Sequence, residues 1–241
     1  MDPPSQVYLF GGKKPWNPLD WTSSDDRVRG GSSYSTLTCS PFAPTAKFHG
    51  HLDIKTLGGA GFASQRTTRE HQTWDLTGFD GLELNIEKSD GKKYTVALKD
   101  ELLPQRSDGR EQSTVSWEYD FKVEGDNGKG KVFVKWEDLK ATYRGREKKD
   151  AKPLDLKNVR RLSLMMRSFF GTQEGEFSLS ILSISAINLV SDSNPGAFSE
   201  PYRDHPNNDL NENTVFRPSI TQEDNNAIST STEQDSSGWL F

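Results

Sequence analysis

The sequence predicts an all-β domain, built as a sandwich or barrel, followed by a disordered acidic C-terminal tail. Three observations carry that reading. Apolar and polar residues alternate with a period of two in segment after segment. No stretch of a dozen residues shows the 3.6-residue period of an amphipathic helix. After Val190 the alternation stops, and Asn, Ser, Asp, Glu and Pro dominate.

In chain order, the first amphipathic strand signal is FHGHLDI. Phe48, Leu52 and Ile54 occupy one face; His49, His51 and Asp53 occupy the other. Leu57–Gly61 then reads as a tight strand-to-strand connection leading into Phe62–Arg66. Leu82, Leu84 and Ile86 alternate with Glu83, Asn85 and Glu87, and Tyr94, Val96 and Leu98 with Thr95, Ala97 and Lys99. Ser89-Asp90-Gly91-Lys92 between them is a turn signal, so 82–99 is expected to form a hairpin. Val115, Trp117, Tyr119 and Phe121 mark another half-buried strand. Lys135–Lys140 offers one short helical turn, and Leu162–Met166 begins as a strand. In 177–187 the apolar residues change parity, from Phe177, Leu179 and Ile181 to Leu182, Ile184 and Ala186; a β-bulge produces that phase change.

Bulk properties narrow the function classes. The chain has 241 residues and 32% apolar content, against about 45–50% in an ordinary globular domain. Residues 191–241 carry nine acidic and two basic residues. Such a segment cannot bury enough apolar surface to offset its ordering entropy. We therefore divide the chain into a domain over 1–190 and a tail over 191–241, whose GWLF end reads first as chance composition, with a short docking peptide as the alternative. The domain is close to neutral, without the basic footprint of a nucleic-acid binder. One cysteine, Cys39, excludes an internal disulfide, and no apolar run is long enough to span a bilayer. With no glycosylation sequon and no leader-like N-terminus, a cytoplasmic location is expected.

Candidate sites lie at strand ends. Asp25-Asp26-Arg27-Val28-Arg29 followed by Gly30-Gly31 joins a carboxylate pair, basic groups and conformationally free backbone. As plain structure, it is a loop in which an aspartate caps a turn. Gly58-Gly59-Ala60-Gly61 lacks the GK[ST] ending of a phosphate loop, so nucleotide binding is not expected. His49, His51 and Asp53 do not supply a convergent metal set. Trp117 belongs to the core, whereas Trp21 and Trp74, next to loops, are the surface aromatics. No nucleophile-base constellation is present, and Cys39 has nothing to activate its thiolate. No catalytic residue, metal or cofactor is expected. The candidate binding surface comprises Trp21, Asp25, Asp26, Arg27, Arg29, Gly30, Gly31, Gly59, Gly61, Arg66 and Trp74. It forms one site only if the two glycine-bearing loops meet at one rim. Were the chain an enzyme with a rim pocket, Asp25, Asp26, Arg27, Arg66 and Lys99-Asp100-Glu101 would be the groups to test.

WTSSDDRVRGGSSYS, FHGHLDIKTLGGAGFASQRT, WDLTGFDGLELNI, DGKKYTVALKDE, VSWEYDF and RLSLMMRSFFGTQEGEFSLSILSI, occurring in that order, resemble the complex I intermediate-associated protein 30 family over about residues 8–190. The chain resembles a short, fungal-type member. The resemblance implies a galactose-binding-like jelly-roll sandwich, an architecture shared with some carbohydrate-binding modules. It implies a non-catalytic assembly factor or chaperone for mitochondrial NADH:ubiquinone oxidoreductase, with protein partners among complex I assembly intermediates and a mitochondrial location as the alternative to the cytoplasm. A glycan or other small polar ligand is the alternative occupant.

Overall fold

A strand that must bury one face needs a second apolar face opposite it, and here the alternating segments form two antiparallel sheets that supply those faces to each other. The computed structural model describes residues 5–39, 44–68, 72–107 and 109–189. The acidic tail and its GWLF end lie outside the described residues, as does His71.

The strands are β1 (Gln6–Gly11), β2 (Trp21–Ser23), β3 (Tyr34–Cys39), β4 (Ala46–Leu52), β5 (Phe62–Thr67), β6 (Gly81–Ser89), β7 (Lys93–Lys99), β8 (Ser116–Lys122), β9 (Gly130–Lys135), β10 (Lys140–Tyr143), β11 (Arg146–Glu147), β12 (Arg161–Arg167) and β13 (Gly175–Ile187). One sheet runs β3-β4-β13-β6-β9, with β1 pairing the far half of β13. The other runs β11-β10-β8-β7-β12-β5-β2. Among the described residues helical structure is limited to short 3-10 turns, one of them at Trp136–Asp138 as expected. Phe48, Leu84, Ile86, Leu179 and Ile181 of the first sheet face Tyr94, Val96, Leu98, Leu162, Leu164 and Met166 of the second, all with at most 1% exposure.

The parity change in 177–187 is a bulge. The register of β13 against β6 shifts around Ile181, and Leu182 drops out of the inward row. Its carbonyl instead accepts hydrogen bonds from the Trp16 indole (3.1 Å) and the Gly12 amide (3.2 Å). The bulge thus fastens the N-terminal strand to the sheet.

The expected 82–99 hairpin does not form. β6 and β7 are strands, but they belong to opposite sheets. Asp90 directs the crossing. Its carboxylate accepts from the Ser178 amide on β13, from the Lys92 amide and from the Tyr94 hydroxyl, which plunges into the core. Alternation specifies which face of a strand is buried, not which strand it pairs with. Both strands satisfy the pattern from opposite sides of one core.

Candidate functional site

The Asp-Asp-Arg-Val-Arg loop folds into a 3-10 turn over Asp26–Arg29, closed by Gly30 in the left-handed region (φ 83°). This geometry turns both aspartates inward. Asp26 has no exposure and Asp25 3%. Asp26 accepts from the Ser33 amide (3.0 Å), the Ser33 hydroxyl (2.7 Å) and the Phe62 amide (3.0 Å). Asp25 accepts from the Ser35 hydroxyl (2.6 Å), the Ser35 amide (3.2 Å), the Ser64 amide (2.9 Å) and Arg27 (3.3 Å). Gly31 is required here: a Cβ would stand 2.3 Å from an Asp26 oxygen. Every carboxylate oxygen is engaged by the fold, so the pair ties the loop to β3 and β5 and leaves no oxygen for a substrate. The expectation of Asp25 and Asp26 as surface groups is corrected accordingly: a buried carboxylate without these donors would be prohibitively costly, and with them it becomes a fastener.

The same bonds bring the two glycine-bearing loops together at one rim. The Gly61 carbonyl accepts from the Ser168 amide (3.0 Å), placing the turn between β12 and β13 beside them. Gly58 and Gly59 adopt positive φ (62° and 95°) with open space around them. The Arg29 guanidinium lies over the Phe62 ring, and Arg27 is exposed. Phe169 and Phe170 both hold positive φ, a costly conformation for aromatic residues. Phe169 is clasped by Lys93 and Arg167, while Phe170 projects fully into solvent. Val28 is 66% exposed on the neighbouring turn.

Three predicted residues fall elsewhere. Trp21 is buried, packing against Phe10 (4.8 Å between centroids) and Trp16, so it is core and not a surface aromatic. Trp74 is half-buried at the edge of the same cluster. Both were expected at the surface, but the bulge-anchored N-terminal strand brings Phe10 and Trp16 over them. Arg66 lies away from the rim, on the outer face of the β8-β7-β12-β5 sheet, in an ion pair with Glu111 (2.7 Å).

That outer face holds charge that alternation assigns to solvent. Thr95 has no exposure, and Glu118 and Arg161 have 8% and 5%. Arg167 bridges Glu118 (2.8 Å) and Asp120. The Asp120 carboxylate also accepts from the Thr95 hydroxyl (2.6 Å), and that of Glu118 from Thr142 (2.7 Å). Nearby, Arg161 grips Glu111 through both terminal nitrogens (2.7 and 3.1 Å). Lys99 donates to the Thr114 hydroxyl (2.9 Å) and carbonyl (3.3 Å). Burial first, and then the Arg161 cation, push the Lys99 ammonium below the usual lysine range. These residues were missed, apart from Arg66 and Lys99. Only the strand register aligns Glu118 and Asp120 with Arg161 and Arg167.

Other chemistry finds little support in the arrangement. Among the described residues no group of His, Cys, Asp and Glu converges as a metal site. His51 pairs with Glu176 (2.9 Å) and His49 sits near the Thr38 hydroxyl. Burial, and then the Asp20 charge, raise the Cys39 thiol above its usual range, which disfavours a thiolate nucleophile. Among the described residues no helix is long and apolar enough to cross a membrane.

Known proteins match both the sequence and the architecture. The uncharacterized protein C9E9.15 of Schizosaccharomyces pombe is 44% identical over 184 residues, which is 75% of this chain and 84% of that protein. Among solved structures, the family 11 carbohydrate-binding module of the cellulosomal cellulase Lic26A-Cel5E of Clostridium thermocellum is similar with a TM-score of 0.50 at 12% identity, covering 76% of this chain and 95% of that one. At that identity the likeness speaks for the fold alone, a galactose-binding-like jelly-roll sandwich. A family model for complex I intermediate-associated protein 30 matches residues 8–181. The chain therefore belongs to the complex I intermediate-associated protein 30 family.

Proposed function

We propose that this domain is a non-catalytic assembly factor that binds protein, with intermediates of respiratory complex I as the partner class. The observation that carries the reading is the family match across residues 8–181. The rim supports it physically. Phe169, clasped by Lys93 and Arg167, leads into a fully exposed ring at Phe170, both at positive φ, with exposed Val28, Arg27 and Arg29 on the adjoining turn. Aromatic and arginine anchors of this type concentrate binding energy in protein interfaces. The carboxylate fasteners beneath keep the turn that carries Arg27, Val28 and Arg29 preorganised.

The reading places the working protein with mitochondrial complex I intermediates. Affinity purification of the full chain followed by mass spectrometry tests it, alongside native-gel analysis of complex I in a deletion strain. Complex I subunits should co-purify with the wild type and be lost with Phe170→Ser. A deletion strain with normal complex I, and purifications free of its subunits, would sink the proposal. For the glycan-module alternative the fold likeness is the sole support. The rings at the end of the outer sheet face, Phe62 and Phe169, are covered by Arg29, Lys93 and Arg167, which leaves little ring face for a sugar. A glycan array with a clear hit would restore that reading.

A further inference from the structure

The outer-face cluster around Arg161 has the build of an anion receptor. The Arg161 side chain is 7% exposed, yet its two terminal nitrogens present a bidentate fork to Glu111. Arg66 contacts the same carboxylate from the neighbouring strand. The Arg161 Nε is buried and has no hydrogen-bond partner. The Arg167 Nε is in the same state, but Arg161 differs in that its carboxylate partner is one-third exposed (34%) and that both line a cleft. Lys99 adds a third cation within electrostatic reach of both Arg161 and Glu111; Glu118 and Asp100 are the other carboxylates that act on it, and Glu118 is held by Arg167.

Glu111 is the most solvent-accessible member of the Arg161–Arg66–Glu111 set. It lies on the long irregular connection from β7 to β8, and its side chain is 34% exposed, far more than the arginines it meets. A cleft of about 220 Å³ adjoins it, lined by Leu102, Leu103, Pro104, Gln112, Arg160 and Arg161 among others. Such a space suits a compact body with apolar surface and a single charged head. Connections of this length without secondary structure are usually functional when ordered.

We infer that Arg161, Arg66 and Lys99 form a receptor for the carboxylate or phosphate head of a small organic anion, and that the Glu111 carboxylate occupies the head position until such a ligand replaces it. No bond is made or broken; one anion exchanges for another on the same guanidinium fork. The site lies on the outer sheet face and does not depend on the rim or on the assembly-factor reading.

Glu111→Gln removes the resident charge and keeps the shape. Inorganic phosphate and succinate serve as probes for the two head chemistries, with sodium chloride at matched ionic strength as the control. Affinity for at least one probe, measured by calorimetry, should be about tenfold or more tighter in Glu111→Gln than in the wild type, because the competing internal carboxylate is gone. Whichever probe binds identifies the head chemistry. Amide shifts on titration should centre on Arg161 and Thr114. Adding Arg161→Lys, which keeps charge but loses the fork, should abolish the gain. A Glu111→Gln protein that binds neither probe more tightly than the wild type would overturn the inference, leaving a structural ion pair. So would a gain that survives Arg161→Lys, or shifts that map elsewhere. Titrating the Glu111→Gln protein by NMR keeps the test decisive if the double variant does not fold.

Discussion

Replacing Asp26 by asparagine changes one atom and should unfasten the rim. Asp26 is fully buried and accepts three bonds, one on Oδ1 from the Ser33 amide and two on Oδ2 from the Ser33 hydroxyl and the Phe62 amide. An asparagine can place its single oxygen where Oδ2 stands and keep two of the three. Its NH2 group then faces the Ser33 N–H, donor against donor. The loss is one charge-assisted bond, about 1.5–3 kcal/mol, plus a buried unsatisfied donor, about 1–3 kcal/mol. Relief of the buried charge returns part of this, so we expect a net cost of about 3 kcal/mol. For a domain of this size that lowers Tm by roughly 6–12 °C. Thermal unfolding followed by circular dichroism, with urea titration for the free energy, measures it. Ser33→Ala should cost about 1–3 kcal/mol, and the double variant less than the sum, since the hydroxyl bond that Ser33→Ala removes is charge-assisted only while residue 26 is a carboxylate. An Asp26→Asn protein within a degree of wild type would refute the assignment of Asp26 as a fastener. So would strict additivity with Ser33→Ala.

Gly31→Ala should destabilise by about 2 kcal/mol, because the new methyl meets the Asp26 carboxylate; urea unfolding with an unchanged midpoint would contradict the packing described. Phe170→Gly should relieve left-handed strain and raise stability by up to about 1 kcal/mol while weakening partner capture, so a loss of both would mean the ring packs internally. Asp53 and Asp75 should titrate below the ordinary aspartate range, held there chiefly by the side-chain hydrogen bonds of Thr56 and Thr77 respectively. Since their folded pKa values are depressed, the stability they contribute is present above the unfolded aspartate range and disappears as pH falls through the folded values; carboxyl NMR titration with ordinary midpoints would refute it. Cys39 should react with a thiol reagent near pH 8 several-fold more slowly than free cysteine, a rate difference that a stopped assay with Ellman's reagent resolves.

Much of the fold was legible from residue order. The alternation in 82–86, 94–98, 115–121 and 162–166 marks real strands, and the parity change in 177–187 marks a real bulge. Strands with weaker patterns escaped notice: β1 is short, β3 is largely Thr and Ser, and β9 sets an exposed Phe133 between its inward valines. The paired loops around Gly31 and Gly59 do meet, as a shared rim requires. What residue order did not reveal was the inward turn of Asp25 and Asp26, since an exposed capping aspartate and a buried one carry the same local signature.

By itself the sequence determined the period-two patterning, hence strands and the faces they bury, because side-chain direction along an extended backbone depends only on parity. It also determined family membership, through motifs preserved in order. Strand partnership was decided only by the tertiary structure, because β6 and β7 satisfy the same alternation whether paired or facing each other across the core. The outer-face charge cluster was decided there too. Arg66, Lys99, Glu111 and Arg161 are far apart in the chain and meet only once the register of β5, β12 and β7 sets them side by side and the β7–β8 connection folds Glu111 over them.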